Sequence, residues 1–176
     1  ASALNDYIYS SADAGSTWTQ QRAAGARNWY DITTSSGGGS YVFACLYQGG
    51  SLYSSSDSGV TWTERTAAGS RNWKSVVSSS DGSTVYAISW LGYIYYSSNY
   101  AVTWTALIGA EQRPWVAIAT SSDGSKVVAA SVELYTSSDY GTSWTVRAGA
   151  GSRSWNSLST TSDGSKIFAD GGGTHF

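Results

Sequence analysis

The sequence predicts an all-β fold: a β-propeller of four-stranded antiparallel blades, with about four repeats of 40–44 residues. Three observations carry the prediction. The first is a recurring eight-residue stretch, "ADAGSTWT" (12–19), "SDSGVTWT" (56–63), "SNYAVTWT" (98–105) and "SDYGTSWT" (138–145). The second is its spacing. Trp18, Trp62, Trp104 and Trp144 recur at intervals of 44, 42 and 40, and Trp29, Trp73, Trp115 and Trp155 follow each of them by 11 residues. The third is the lack of any helical period: β-prone runs alternate with turn signals throughout.

One unit gives the elements in order. "WKSVVSSS" (73–80) reads as a first strand, and "DG" (81–82) as a turn. "STVYAISW" (83–90) is the second strand, punctuated by "LG" (91–92). "YIYYSS" (93–98) is the third, and "TWTAL" (103–107) the fourth. The eight-residue stretch makes the turn between the last two. Its Asp57 can accept backbone N–H bonds within the turn, and Gly59 permits positive φ. The other copies offer Asp13 with Gly15, and Asp139 with Gly141. In the third copy Asn99 and Ala101 stand in these places. An Asx side chain still serves a turn, whereas a catalytic or metal-binding carboxylate would not tolerate Asn, so these residues read as structural. The Trp of each copy is expected to bury its indole.

Chain length suits one domain, 1–176, with repeat units at about 7–50, 51–92, 93–132 and 133–176. The chain begins late in a second strand and ends early in a third. Two arrangements are open: a four-bladed ring closed two-plus-two, or part of a larger ring, including a half-ring that dimerises. A homo-oligomer is therefore one expectation.

Composition narrows the partners. Net charge is −2, which suggests no nucleic acid, and no apolar run is long enough for membrane insertion through a helix. Cys45 is the single cysteine and lies in the apolar run "YVFACLY", where a buried thiol is expected. His175 is the single histidine, which leaves no His-based triad or metal cluster. No cofactor and no metal are expected. The chain has no Met, and a removed leader or an upstream segment is expected. A surface rich in Ser, Thr, Gly and Tyr but poor in charge suits an extracellular or cell-surface protein.

Candidate binding residues come from the second Trp series. Arg27, Arg71, Arg113 and Arg153 each stand two residues before Trp29, Trp73, Trp115 and Trp155. These pairs could line several weak, equivalent sugar sites between blades or on one ring face. They could equally be glue, each guanidinium stacked on a Trp or paired with an Asp. Trp90 lies outside both series, with Tyr47 and Val132 in the equivalent places. It could stack on a sugar ring or fill a local gap.

The stretches "SSDSGVTW" (55–62) and "SADAGSTW" (11–18) resemble the Asp-box, or bacterial neuraminidase repeat, S-x-D-x-G-x-T-W. "SSDYGTSW" (137–144) varies at one position, and "SSNYAVTW" (97–104) is degenerate. The resemblance implies a hairpin between the third and fourth strands of each blade, pointing away from a catalytic face. It leaves activity open, because such repeats occur in sialidases, glucanases, receptors and assembly factors. A sialidase would need three Arg from different blades, a Tyr–Glu pair and an acid/base Asp. Here four Arg share one blade position, and Glu64, Glu111 and Glu133 fall in no such motif. The expected function is a secreted, non-catalytic, lectin-type module that binds glycans. The alternatives are a self-associating matrix, filament or coat protein, and a fragment of a glycoside hydrolase.

Overall fold

The structure, a computed structural model, describes residues 5–172. Strands β1 (Ile8–Ser10) and β2 (Thr19–Gln21) form a two-stranded sheet. Three four-stranded antiparallel blades follow. The first has β3 (Trp29–Thr34), β4 (Val42–Leu46), β5 (Leu52–Ser55) and β6 (Thr63–Glu64). The second has β7 (Trp73–Ser78), β8 (Val85–Ser89), β9 (Ile94–Ser97) and β10 (Thr105–Ala106). The third has β11 (Ala117–Thr120), β12 (Val127–Ala130), β13 (Leu134–Ser137) and β14 (Thr145–Val146). A second two-stranded sheet, β15 (Trp155–Thr160) with β16 (Ile167–Gly171), ends the array.

Within a blade the strands are A to D, counted outward from a cleft lined by residues of β3, β7, β11 and β15. Consecutive pairing makes each blade a meander, so A–B turns and C–D hairpins share one face. Backbone bonds confirm this: Ser58 N donates to Ser40 O, Tyr100 N to Ser83 O and Tyr140 N to Ser125 O, at 2.9–3.1 Å. The opposite face carries the B–C turns and D–A connections. We call the two the hairpin face and the loop face. Each blade starts at or within two residues of a Trp of the second series, so the sheets straddle the sequence units. Residues 29–64, for example, form one blade across the division at 50. The two outlying pairs are separate sheets among the described residues.

The eight-residue stretches fold alike. Ser55 Oγ donates to Asp57 Oδ1 at 2.7 Å and accepts from Gly59 N at 2.8 Å. Asp57 accepts from Thr61 N at 2.8 Å and Thr61 Oγ1 at 2.6 Å, and Trp62 Nε1 donates to Gly59 O at 2.9 Å. Asp13 and Asp139 repeat the pattern. Asn99 keeps it too: its Oδ1 accepts from Thr103 N at 2.9 Å, and its Nδ2 now donates to Thr103 Oγ1 at 2.9 Å. Ala101 holds the Gly position at φ 63°, a left-handed conformation that is uncommon outside glycine. The turn is thus set by Asx geometry and tolerates loss of the charge.

Ser55 is buried, and its hydroxyl is the side-chain acceptor for the buried Gly59 N. Ser55→Ala is therefore expected to destabilise the protein by about 1–3 kcal/mol, through the orphaned donor. Thermal or urea unfolding of the variant checks this.

Blades pack face to face, which removes the usual one-sided strand pattern: all five residues of β8 are buried. Trp73 sits between the first two blades with Phe43, Cys45 and Leu52. Trp115 does the same between the second and third, with Tyr86, Ile88 and Ile94. The A–B turns add a backbone ladder across blades. Gly37 N donates to Ser80 O, Ser80 N to Ser122 O and Ser122 N to Ser162 O, each at 2.7 Å. The hairpin Trp residues bury less than the sequence suggests. Trp62, Trp104 and Trp144 are half-buried, and Trp18 is 64% exposed. Their N–H bonds tie the indoles back to their own hairpins.

Candidate functional site

The Arg and Trp series separate in the structure. Trp73 and Trp115 have 0% exposed surface and Trp155 has 8%, while Trp29 is half-buried. Trp73 and Trp115 thus have no free face for a sugar, while part of Trp29 and Trp155 borders an open groove, so the four rings are not equivalent platforms. The first three members of the Arg series stack on Tyr, and Arg71 also lies 6.0 Å over Trp73. Arg27, Arg71 and Arg113 lie 4.8, 4.5 and 4.6 Å over the rings of Tyr53, Tyr95 and Tyr135. The Nε of each donates to a carbonyl of the preceding 3-10 turn, Ala24, Ala68 or Ala110. The backbone of Arg71 bridges to Gly50 in the B–C turn of the blade before. Each such Arg thus ties a D–A connection to two blades. Arg153 lies 5.1 Å over Trp155. Arg27, Arg71 and Arg153 nevertheless remain exposed on the loop face, and Arg113 pairs with Glu111 at 2.6 Å.

A different group of residues, two exposed and two half-buried, gathers on the surface. β3 and β7 each carry a bulge after their first residue, between Trp29 and Asp31 and between Trp73 and Ser75. A bulge re-aims the extra residue, here Tyr30 and Lys74. Opposite them, at the ends of the B strands, stand Tyr47 and Trp90. Tyr30 and Tyr47 stack with centroids 5.0 Å apart. The Lys74 ammonium lies 4.8 Å from the Tyr30 ring, 4.4 Å from Tyr47 and 5.4 Å from Trp90. It also donates to the Tyr30 hydroxyl at 3.0 Å. Tyr30 is 45% and Trp90 37% exposed. The Trp90 backbone is anchored by its N–H to Asn72 O at 2.8 Å. Three aromatic rings around one cation therefore span the first and second blades on the loop face. Beside them, Trp90, Pro114, Val116, Val132 and Trp155 line a groove of about 390 Å³ toward the third blade.

This patch lies where the repeats disagree. The residue after the second-series Trp reads Tyr30, Lys74, Val116, Asn156, and the residue after strand B reads Tyr47, Trp90, Ser131, Gly172. Residues the scaffold needs recur in every unit. These two positions do not, which frees them for a local task.

The carboxylates of the hairpin face are engaged otherwise. Hydrogen bonds from Thr61 and Ser55 hold Asp57 at a pKa of about 2, and equivalent bonds hold Asp13 and Asp139 at about 2. Asp81 and Asp123 in the A–B turns are lowered by Ser79 and Ser121 first. A carboxyl so lowered is a poor proton donor near neutrality. These folded-state values lie below the unfolded ones, so the stabilisation is complete above about pH 4 and is lost as pH falls through about 2. Melting temperature measured at pH 7, 4 and 2.5 is expected to change little between the first two and fall at the third.

Tyr135 donates to Glu133 at 3.2 Å, a Tyr–Glu contact that the sequence motifs did not mark. Tyr135 is buried, and burial raises its pKa, the reverse of an activated nucleophile. Cys45 is fully buried, and burial pushes its thiol well up. Among the described residues no three His, Cys, Asp or Glu side chains gather as a metal site. His175 lies outside the described residues.

No family model and no curated protein matches the chain. Solved structures do. A GH74 xyloglucanase from Xanthomonas campestris is similar at 14% identity with a TM-score of 0.73, over 95% of this chain and 32% of that one. A YCF48 structure bound to a D1 peptide is similar at 18% identity with a TM-score of 0.69, over 94% of this chain and 54% of that one. A GH74 enzyme from Niastella koreensis is similar at 24% identity with a TM-score of 0.55, over 68% and 18%. The chain thus spans from under a fifth to about half of the proteins it resembles. At these identities the likeness concerns the fold, and it agrees with the blades described above: the chain is a β-propeller array.

Proposed function

We propose that this chain is a non-catalytic glycan-binding part of an extracellular Asp-box propeller, and that the Tyr30–Tyr47–Lys74–Trp90 patch holds the sugar. The observation that carries the reading is the patch itself: exposed aromatic faces beside placed donors, at the positions where the repeats differ. A sugar needs an apolar platform for its C–H face and a few directed hydrogen bonds. The rings supply the platform, and Lys74 and the Tyr hydroxyls supply the bonds. The hairpin bonds described above support the Asp-box assignment. The lowered Asp pKa values and the buried Tyr135 support a binding rather than hydrolytic role. The fold likeness to a xyloglucanase is compatible with a saccharide ligand and selects none. A glycan array followed by calorimetric titration tests the reading; no binding at millimolar glycan would refute it.

A second reading, a self-associating matrix or coat protein, is favoured by the exposed Ile167 and Phe168 on β16. Exposed apolar strand surface is prone to pairing. Concentration-dependent sedimentation, with an array that yields no ligand, would favour it.

A further inference from the structure

The proposed site has an electrical character that a neutral sugar would not use. Lys74 is held by three π faces and one hydroxyl, and among the described residues no carboxylate lies within 4.0 Å of its ammonium. The adjacent acid, Asp31, is committed elsewhere: its Oδ2 accepts from Ser75 Oγ at 2.6 Å and Val76 N at 2.9 Å, and its Oδ1 from Ile32 N at 2.9 Å. An ammonium has three donors, and one hydrogen bond is made here. The exposed Arg27 and Arg71 stand on the same loop face. The turn carboxylates Asp57, Asp81, Asp123 and Asp139 lie on the hairpin face, away from Lys74, and Glu111 on the loop face is paired with Arg113. Resting on the glycan-binding reading above, we infer that the ligand is an anionic saccharide, carrying a carboxylate or sulfate that Lys74 receives while the rings stack on the sugar. The aromatic cage fixes the position of the ammonium, and a cation held in place loses less freedom when it meets an anion. An ion pair at such a solvent-accessible site weakens with salt.

Titration calorimetry with matched pairs tests this: uronate oligosaccharides against their carboxyl-reduced forms, and sulfated oligosaccharides against desulfated ones. The acidic member of at least one pair is expected to bind about tenfold tighter at low salt, the scale of one charge-assisted hydrogen bond. That preference should vanish in Lys74→Met, persist in Lys74→Arg, and shrink in 0.5 M salt. Equal binding of acidic and neutral members overturns the inference and leaves the glycan-binding reading standing. Failure of every saccharide to bind overturns both. If Lys74→Met does not fold, the matched pairs and the salt series in the unaltered protein decide alone.

Discussion

Trp73→Ala is expected to destabilise the protein by about 3–5 kcal/mol, the usual cost of removing a buried indole. The ring has no exposed surface and touches both neighbouring blades: Phe43, Cys45 and Leu52 belong to one, Val76 and Tyr95 to the other. It meets Tyr95 edge to face at 5.2 Å. Its removal would open a cavity at the interface on which the array depends, and blade-to-blade packing leaves little room to collapse. For a chain of this size the loss corresponds to a melting temperature lower by on the order of 10 °C. Trp73→Phe is expected to cost much less. The Trp73 Nε1 has no hydrogen-bond partner, so exchanging it for a phenyl ring forfeits volume but no bond. Melting curves of the two variants side by side check the claim. Equal losses would mean that the indole edge, not the ring volume, holds the blades together.

Trp90→Ala is expected to do the opposite: weaken glycan binding by on the order of 10- to 30-fold, as loss of an aromatic anchor does, with the fold intact. Trp90 is partly exposed and belongs to none of the buried clusters. Its backbone bond to Asn72 does not involve the side chain. Titration of the variant with the preferred glycan, alongside a melting curve, checks both halves. Undiminished affinity would move the site off the patch. A large drop in melting temperature would make Trp90 a packing residue.

The fold was legible because its signals are periodic. A turn of Ser, Asp, Gly and Thr at fixed spacing demands the same hydrogen bonds wherever it occurs, and the Asn99 copy shows that the demand is geometric. The strands of the second blade were readable to within two residues of their ends, because "DG" and "LG" mark real turns. The burial of the second Trp series was readable only as one of two possibilities. A Trp recurring in register can be a platform or a wedge, and which it is depends on the distance between blades. Trp90 stood out as the indole that broke register. Its partners did not, since Tyr30, Tyr47 and Lys74 come from separate strands and meet only once a bulge turns Tyr30 and Lys74 outward. The Tyr partners of the Arg series were hidden for the same reason. Arg71 and Tyr95 are far apart in sequence and meet across a blade.

In the reading proposed above, recurring residues build the scaffold and the divergent loop-face positions bind the ligand. Hydrogen–deuterium exchange with and without the glycan selected by array tests it most directly. Added protection is expected around residues 28–32, 46–50, 72–75 and 90–92, with the hairpins at 55–62, 97–104 and 137–144 unchanged. Protection concentrated in those hairpins, with the Tyr30–Trp90 region unaffected, would contradict it.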